Sequence, residues 1–261
     1  MKVIAITNVK GGVCKSTLSN SLAFGLCLKG YRVLLIDSDP QTNLTLSILE
    51  EQPDDTPSLY HIYSEGKSID EVKIPIREGL DLIIGDFNLS NSDMMYQKAG
   101  RLNMLKRALK NMKSEYDFVI VDCCPHMGVL TLNALMASTH ILVPMLVDSF
   151  SLKGARILKE ILDDVESELE KVIPVVGIVI TRYDKRTITS RLLEKSVNDA
   201  ASLLGSKVLR NRIRQAVVVN QCQIVKESIF EYAPKEKVTD DYRALIDEIL
   251  FEMEEEDHGE T

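Results

Sequence analysis

The chain has 261 residues, of which 45% are hydrophobic and 27% are charged, a composition typical of a soluble globular protein with a substantial buried core. No apolar run approaches the roughly 20 residues of a membrane helix, and residues 3–6 are too short for a signal-peptide core, so we expect a cytoplasmic protein. The five cysteines include no CxxC pair, which argues against a disulfide framework or a zinc site.

The net charge of −8 is unevenly distributed along the chain. Residues 252–261 carry six acids and no lysine or arginine, so the remainder of the chain carries only −2, and we expect this tail to be disordered. Residues 182–226 carry ten basic and three acidic residues, a net charge of +7. Solvated helix faces would give such a segment, and so would a DNA-contact surface, because phosphates respond to local charge.

Short β-branched runs alternate with longer helical patterns. We predict strands at residues 3–7, 32–36, 81–84, 118–121, 141–143 and 175–181. We predict helices at residues 15–29, 102–112, 130–136 and 153–169, and a last helix after residue 239. This order indicates an α/β fold with a single domain over residues 1–251, in which a mainly parallel twisted sheet carries helices on both faces. Ligands of such folds bind outside the carboxyl ends of the strands.

A glycine-containing turn follows the first predicted strand and leads into a helix that begins Lys-Ser-Thr. Backbone N–H groups at a helix start face an anion, and the helix dipole favours negative charge, so the turn is suited to phosphate. Lys15 would reach the β- and γ-phosphates, and the Ser16 hydroxyl would bind Mg²⁺. The general motif GxxxxGK[ST] nevertheless fails, because its glycines would fall on Val9 and Cys14.

Acidic residues follow two of the predicted strands. Residues 34–43 (LLIDSDPQTN) place Asp37 and Asp39 at the end of the second strand. Residues 116–125 (YDFVIVDCCP) place Asp122 after four apolar residues, a pattern in which the acid holds Mg²⁺, usually through water. Acids at these places can organise the metal and a water molecule beside a γ-phosphate.

Several of these segments resemble one family. Residues 10–17 (KGGVCKST) resemble the deviant Walker A motif KGG-x-GK[ST] of the ParA/MinD ATPases, and residues 37–43 resemble that family's DxDPQ-x-N motif. Residues 128–135 (GVLTLNAL) and 228–234 (SIFEYAP) match it as well. The resemblance covers roughly residues 2–251 and is to the short ParA/Soj type. It implies a P-loop NTPase fold and an ATP hydrolase that is slow on its own.

The resemblance also implies roles for individual residues. The loop would bind ATP through Lys10, Gly11, Gly12, Val13, Cys14, Lys15, Ser16 and Thr17. The catalytic residues would be Lys10, Lys15 and Asp39, with Asp39 orienting the attacking water. The residues around Mg²⁺ would be Ser16, Asp37 and Asp122. Arg182 and Ile213 would border the base. Lys10 would reach the partner's ATP in an ATP-dependent sandwich homodimer.

The partners implied by the resemblance are non-specific double-stranded DNA and a ParB-like centromere-binding protein that stimulates hydrolysis. Such a protein would be nucleoid-associated. The basic residues that we expect to contact DNA phosphates are Arg186, Lys207, Arg210, Arg212 and Arg214. Aromatic residues are scarce among them, so stacking on single strands is not indicated.

The sequence departs from the family pattern at Cys14, which stands where the motif has glycine. We expect its β-carbon to crowd the phosphates. A thiol at a helix N-terminus also tends to have a lowered pKa, and its thiolate would repel phosphate. We therefore expect weakened or retuned ATP affinity. Cys124 and His126 replace a proline and a serine of the pattern; Cys123 and Cys124 fit a buried structural role, and His126 either lines the site or is incidental.

Two other functions fit parts of the sequence. Cys14 is compatible with a nucleotide-gated DNA-binding switch or scaffold that hardly hydrolyses ATP. A MinD-like membrane-cycling ATPase needs a basic amphipathic C-terminal helix, whereas this chain ends EEEDHGET, which anionic lipid would repel. A relative with an iron–sulfur cluster is disfavoured, since Cys123 and Cys124 lack a convincing ligand arrangement.

Overall fold

A computed structural model describes residues 1–50, 56–95, 100–184 and 188–259, without the side chains of residues 188–193 and 256–259. The strands in these ranges are β1 (Lys2–Ile6), β2 (Val33–Ser38), β3 (Ile74–Arg77), β4 (Leu80–Ile83), β5 (Phe118–Cys123), β6 (His140–Met145) and β7 (Val175–Ile180). They form one sheet in the order β3-β4-β2-β5-β1-β6-β7. Every pairing is parallel except that of β3 with β4, and all six predicted strands are confirmed.

Helices connect the strands and cover the sheet. In chain order they are α1 (Lys15–Leu28), α2 (Asn43–Leu46), α3 (Leu59–Glu65), α4 (Ile69–Val72), α5 (Ser92–Met95), α6 (Met104–Asn111), α7 (Val129–Ala137), α8 (Ser151–Leu169), α9 (Ile188–Leu203), α10 (Val217–Val225), α11 (Ile229–Tyr232) and α12 (Lys237–Gly259). Two 3-10 turns, Phe87–Asn91 and Arg101–Asn103, precede α5 and α6.

The central strands are buried on both faces because two separate apolar clusters enclose them. One cluster joins side chains of α3, α6, α7, α8 and α9 to one face of the sheet, and the other joins α1, α10, α11 and α12 to the opposite face. Strand β5 is buried along its whole length. This is the mainly parallel sheet with helices on both faces that continuous apolar strands predict.

The edge strand β3 was not predicted. Its sequence, IPIR, is short and contains Pro75, which cannot donate a ladder hydrogen bond. Proline is tolerated at a sheet edge, and β3 indeed pairs only with β4, in an antiparallel sense.

The C-terminal helix α12 packs tightly against α1. Gly25 of α1 leaves room for Ile246, whose Cδ1 atom occupies the space that a β-carbon at residue 25 would need. Helix α12 continues to Gly259, whereas we expected disorder from residue 252. Met253 explains part of the difference, because it is 1% exposed and belongs to the apolar cluster under α12. Among the described helices, none is both long and apolar enough to cross a membrane.

Candidate functional site

The phosphate loop connects the end of β1 to the start of α1. Gly12 has φ +73°, a left-handed conformation that costs glycine little. Cys14, the residue immediately before α1, has φ 65° and ψ 32°, also in the left-handed region. A side chain in that region typically costs about 1–2 kcal/mol. The left-handed backbone at residue 14 therefore explains why the family motif has glycine there, in addition to the crowding of the phosphates that we expected.

The Cys14 thiol behaves differently from the sequence expectation. Burial raises its pKa, while Arg182 and the hydroxyl of Thr181 only partly oppose the shift. The expected lowering of the pKa is wrong, because loss of water around the sulfur outweighs the favourable end of α1. The thiol stays protonated at neutral pH and places no negative charge beside a phosphate.

Lys15 is nearly buried at the first position of α1, with 7% of its surface exposed. Its Nζ donates to the carbonyl oxygens of Asn8 at 3.2 Å and Lys10 at 3.1 Å. Burial lowers the pKa of Lys15, and the charge of Asp122 is the largest opposing influence. The lysine is thus anchored inside the loop in the position from which it can reach a bound anion.

Asp37 and Asp122 face each other across the neighbouring strands β2 and β5. Both carboxylate oxygens of Asp37 accept hydrogen bonds. Oδ2 accepts from the N–H and hydroxyl of Thr45 at 2.8 and 2.7 Å, and Oδ1 accepts from the Asp39 N–H at 3.1 Å. Asp122 accepts at Oδ1 from Ser19 Oγ at 3.1 Å, whereas its buried Oδ2 has no hydrogen-bond partner.

The electrostatics of this pair follow from its burial. Burial raises the pKa of Asp37 to about 6. Burial, and then the Asp37 charge, raise the pKa of Asp122 to about 8, which the Ser16 hydroxyl and Lys15 oppose. An unpartnered buried carboxylate oxygen beside a hydroxyl is a donor set that suits Mg²⁺, a cation that prefers oxygen ligands. Ser16 and Asp122 therefore fit the metal, and Asp37 is a supporting acid whose oxygens are already bound.

A cavity of about 850 Å³ opens at the carboxyl ends of the strands. The residues of the predicted site that line it are Gly11, Gly12, Cys14, Lys15, Ser16, Thr17 and Asp39. Asp39 is 9% exposed, and its Oδ1 accepts from the Gln41 N–H at 2.9 Å. Val13 is buried beneath the loop, and Lys10 lies outside the cavity wall.

The loop after β5 forms the opposite wall of this cavity. Cys123 and Cys124 are buried, as their expected structural role requires, and Cys124 also lines the cavity. His126 lines it too, with Nε2 2.8 Å from Asp93 Oδ2, while Asp93 Oδ1 accepts from the Val129 N–H at 2.7 Å. Asp93 was not anticipated, because it lies 33 residues from His126 and belongs to no motif.

A smaller cavity of about 280 Å³ adjoins the far side of the loop. Both residues that the resemblance assigns to the base, Arg182 and Ile213, line it together with Cys14 and Thr17. Helix α10 closes this end: its Gln223 donates to Thr17 Oγ1 at 2.9 Å, a contact that no sequence pattern predicted. The arrangement is compatible with a base next to the loop.

Lys10 points away from the nucleotide cavity within its own chain. Its Nζ forms an ion pair with Asp148, in the segment after β6, and lies 5.5 Å from the centre of the Phe150 ring. Asp148 also accepts from the Phe150 N–H at 2.8 Å, and it was not predicted as part of the site.

The predicted DNA surface is largely paired with the protein's own acids. Lys207 pairs with Glu252, Arg212 with Glu194, and Arg214 with both oxygens of Asp241. Glu248 accepts from the backbone N–H of Arg210 at 2.6 Å, not from its guanidinium. Arg186 lies outside the described residues. The positive charge counted in the sequence is thus partly neutralised, mostly by α12.

The fold and the site together define the class of the protein. A phosphate-binding loop lies between β1 and α1 of a mainly parallel sheet, and carboxylates stand at the end of β5, which pairs with β1, and at the end of β2, which pairs with β5. This arrangement is that of a P-loop nucleoside triphosphatase.

Comparison with known proteins supports this class. The sequence model of a family described as AAA domain matches residues 1–175. Sporulation initiation inhibitor protein Soj of Bacillus subtilis is 32% identical over 95% of this chain and 98% of its own length. Chromosome partitioning protein ParA of Caulobacter vibrioides is 31% identical over 96% of this chain and 94% of its own. The structure of cobyrinic acid a,c-diamide synthase from Mycobacterium smegmatis with bound ATP analog and magnesium has a TM-score of 0.82 at 31% identity, covering 95% of this chain and 93% of that chain.

The chain therefore belongs to the ParA/Soj family of P-loop ATPases. The family and the fold class inferred from the motifs are confirmed.

Proposed function

We propose that this chain is a DNA-partition ATPase that binds ATP and Mg²⁺, dimerises around the nucleotide, binds duplex DNA without sequence preference and is released by hydrolysis. The observation that carries the nucleotide-binding part is the buried, unpartnered Oδ2 of Asp122 beside Ser16 and Lys15. Leaving a buried carboxylate oxygen unsatisfied is costly, so a cation that completes its contacts is a reason for its retention.

The residues of the predicted site would then have separate roles. Backbone N–H groups of the loop and the Lys15 ammonium would hold the phosphates, and Ser16 and Asp122 would hold Mg²⁺, which when bound neutralises charge on the transferred phosphoryl group. Asp39 would position the attacking water, because it lines the same cavity and one of its oxygens is fixed by the Gln41 N–H.

Dimerisation is supported by the position of Lys10. In the described chain it is held by Asp148 and does not line the nucleotide cavity. The early lysine of the deviant motif would therefore act on the partner's nucleotide after releasing Asp148. Stimulation by a ParB-like partner, and association with the nucleoid, belong to the same proposal and rest on the relatives Soj and ParA.

The test is ATP hydrolysis by the purified chain, measured with and without random-sequence duplex DNA. We expect slow, magnesium-dependent phosphate release that falls at least 100-fold in Asp39→Ala, since positioned acid–base groups typically contribute that much. Asp164→Asn, on the exposed side of α8, is a matched control and should retain the wild-type rate. Equal rates in Asp39→Ala and Asp164→Asn would refute the role of Asp39.

One observation favours a second function. Cys14 is in a left-handed conformation and lines both cavities, so the loop carries a strained residue and a thiol where the family motif has glycine. The chain would then act as a nucleotide-gated DNA-binding switch with little turnover. ATP-dependent DNA binding without phosphate release, in the presence of DNA and partner, would identify this function.

A further inference from the structure

A second basic surface contains none of the predicted DNA-contact residues. Residues 100–114 contain Arg101, Lys106, Arg107, Lys110 and Lys113 and no acid. All five side chains belong to exposed residues, on α6 and its two flanks. No sequence motif marks this stretch, and we name it the α6 surface.

The α6 surface differs from the segment of residues 207–214 in how its charge is balanced. Lys106, Lys110 and Lys113 make no ion pair with any residue in the described part of the chain, whereas Lys207, Arg212 and Arg214 are each paired with a carboxylate. Two acids border this surface: Asp93 is influenced by the charge of Arg101, and the Asp70 carboxylate accepts from the backbone N–H groups of Lys113 and Ser114 at 2.7 and 3.1 Å. Those hydrogen bonds occupy Asp70 at one end of the α6 surface.

The lysines also share one side of the chain. Lys106 and Lys110 are four residues apart on α6, which places them on the same face of the helix. Lys106 lies close enough to Lys171 to lower its pKa, after the larger effect of burial, so positive charge continues toward the end of α7. The ammonium of Lys171 is itself used by three carbonyl groups, of Leu135, Met136 and Ser138.

We propose that the α6 surface is a contact surface for the phosphate backbone of duplex DNA. Exposed lysines without carboxylate partners retain counterions that a polyanion can displace, and counterion release supplies most of the free energy of non-specific DNA binding. Arginines and lysines paired with fixed acids have fewer counterions to release. The inference rests on the proposed DNA binding and assigns it, at least in part, to residues other than those that the resemblance suggested.

The experiment measures binding of a random-sequence duplex to the full chain with ATP and Mg²⁺ at several salt concentrations. Lys106→Ala/Lys110→Ala is compared with Lys235→Ala/Lys237→Ala, which removes the same charge from exposed positions around the start of α12. We expect the α6 variant to bind roughly tenfold more weakly and the slope of log K against log salt to shrink by about 2, one for each lost phosphate contact. The control variant should keep the wild-type slope.

The outcomes separate the two proposals. If the wild-type chain binds no DNA in any nucleotide state, the proposed function fails. If the wild type binds and the two lysine variants bind equally well, the α6 surface is not the contact, and the inference is overturned. Loss of binding in Arg212→Ala/Arg214→Ala, with normal binding by the α6 variant, would overturn it in favour of the predicted segment.

Discussion

The ammonium of Lys10 is bound by the carboxylate of Asp148 in the same chain, although Lys10 is the residue that the family motif assigns to the partner's nucleotide. The two side chains are 33% and 26% exposed, so the ion pair is partly screened by water. Formation of the dimer would have to exchange this pair for a contact across the interface. In the proposed dimer, the pair would therefore oppose association by a modest amount.

We predict that Asp148→Asn tightens ATP-dependent dimerisation about two- to thirtyfold, because partly exposed pairs contribute roughly 0.2–1 kcal/mol each and a dimer contains two of them. Asparagine keeps an oxygen that can accept from the Phe150 N–H, so the start of α8 should stay intact. Sedimentation at several protein concentrations, with ATP and the Asp39→Ala background to prevent turnover, measures the effect. Unchanged or weaker dimerisation would contradict it, and Lys10→Ala should abolish the difference.

We predict that Cys14→Gly raises the free energy of unfolding by about 1 kcal/mol, because relief of the left-handed strain exceeds the added flexibility of the unfolded chain. ATP should also bind more tightly. Calorimetric binding and urea unfolding measure both effects.

Cys14→Ala is the matched control, since it removes the thiol and keeps the β-carbon. If alanine and glycine give the same gain, the thiol and not the backbone conformation is responsible. If neither substitution changes ATP affinity, Cys14 does not weaken ATP binding.

Lys171 closes the end of α7 by donating to the carbonyl oxygens of Leu135 at 3.0 Å, Met136 at 2.5 Å and Ser138 at 2.7 Å. We predict that Lys171→Met lowers the free energy of unfolding by about 2 kcal/mol, because the partly buried carbonyls lose a charged donor. Urea unfolding measures the loss. Lys110→Met, at an exposed position of α6, is the control and should be close to neutral.

The stability of the chain should depend on Asp70 in a defined pH range. Hydrogen bonds from the Lys113 N–H, the Ser114 hydroxyl and the Ser114 N–H lower the pKa of Asp70 below its usual 3.8, so the folded chain binds the proton less readily than the unfolded chain. The stabilisation is present above pH about 4 and is lost as the pH falls through the folded-state pKa.

We predict that Asp70→Asn costs about 0.5–1 kcal/mol at pH 7, since the carboxylate is only partly buried and its contribution is reduced by water. The difference from the wild type should shrink as the pH falls below about 4 and through the folded-state pKa of Asp70. Chemical unfolding at pH 7, 5 and 3 measures it. A difference that persists unchanged at pH 3 would show that the charge of Asp70 is not the cause.

The strands and the site at their ends were predictable because both depend on local patterns. Six β-branched runs gave six strands, and the motifs around Lys15, Asp39 and Asp122 placed three parts of one cavity. Helix α10 shows where local reasoning fails: its sequence, VVVNQCQIV, is rich in residues that favour strands, yet it is helical, with Cys222 buried in the apolar cluster and Ile224 exposed.

The charge balance of the basic segment could not be read from its sequence. Glu252 lies 45 residues from Lys207, and Asp241 lies 27 residues from Arg214, so these pairs exist only once α12 has docked. Counting charges within a window treats every lysine and arginine as available. The lysines of α6 were overlooked for the converse reason, since three basic residues in a short helix look ordinary until the structure shows Lys106 and Lys110 in no ion pair with any described residue.

Lys15 gives the phosphate loop a property that its motif does not state. The carbonyl oxygens of Asn8 and Lys10 accept two of the three ammonium protons. The third proton is left for a phosphate oxygen, so a first phosphate contact needs no exchange of partners, whereas a second contact must displace a carbonyl. The two carbonyls also hold the long lysine side chain in one place, so little of its rotamer freedom remains to be lost when a phosphate binds.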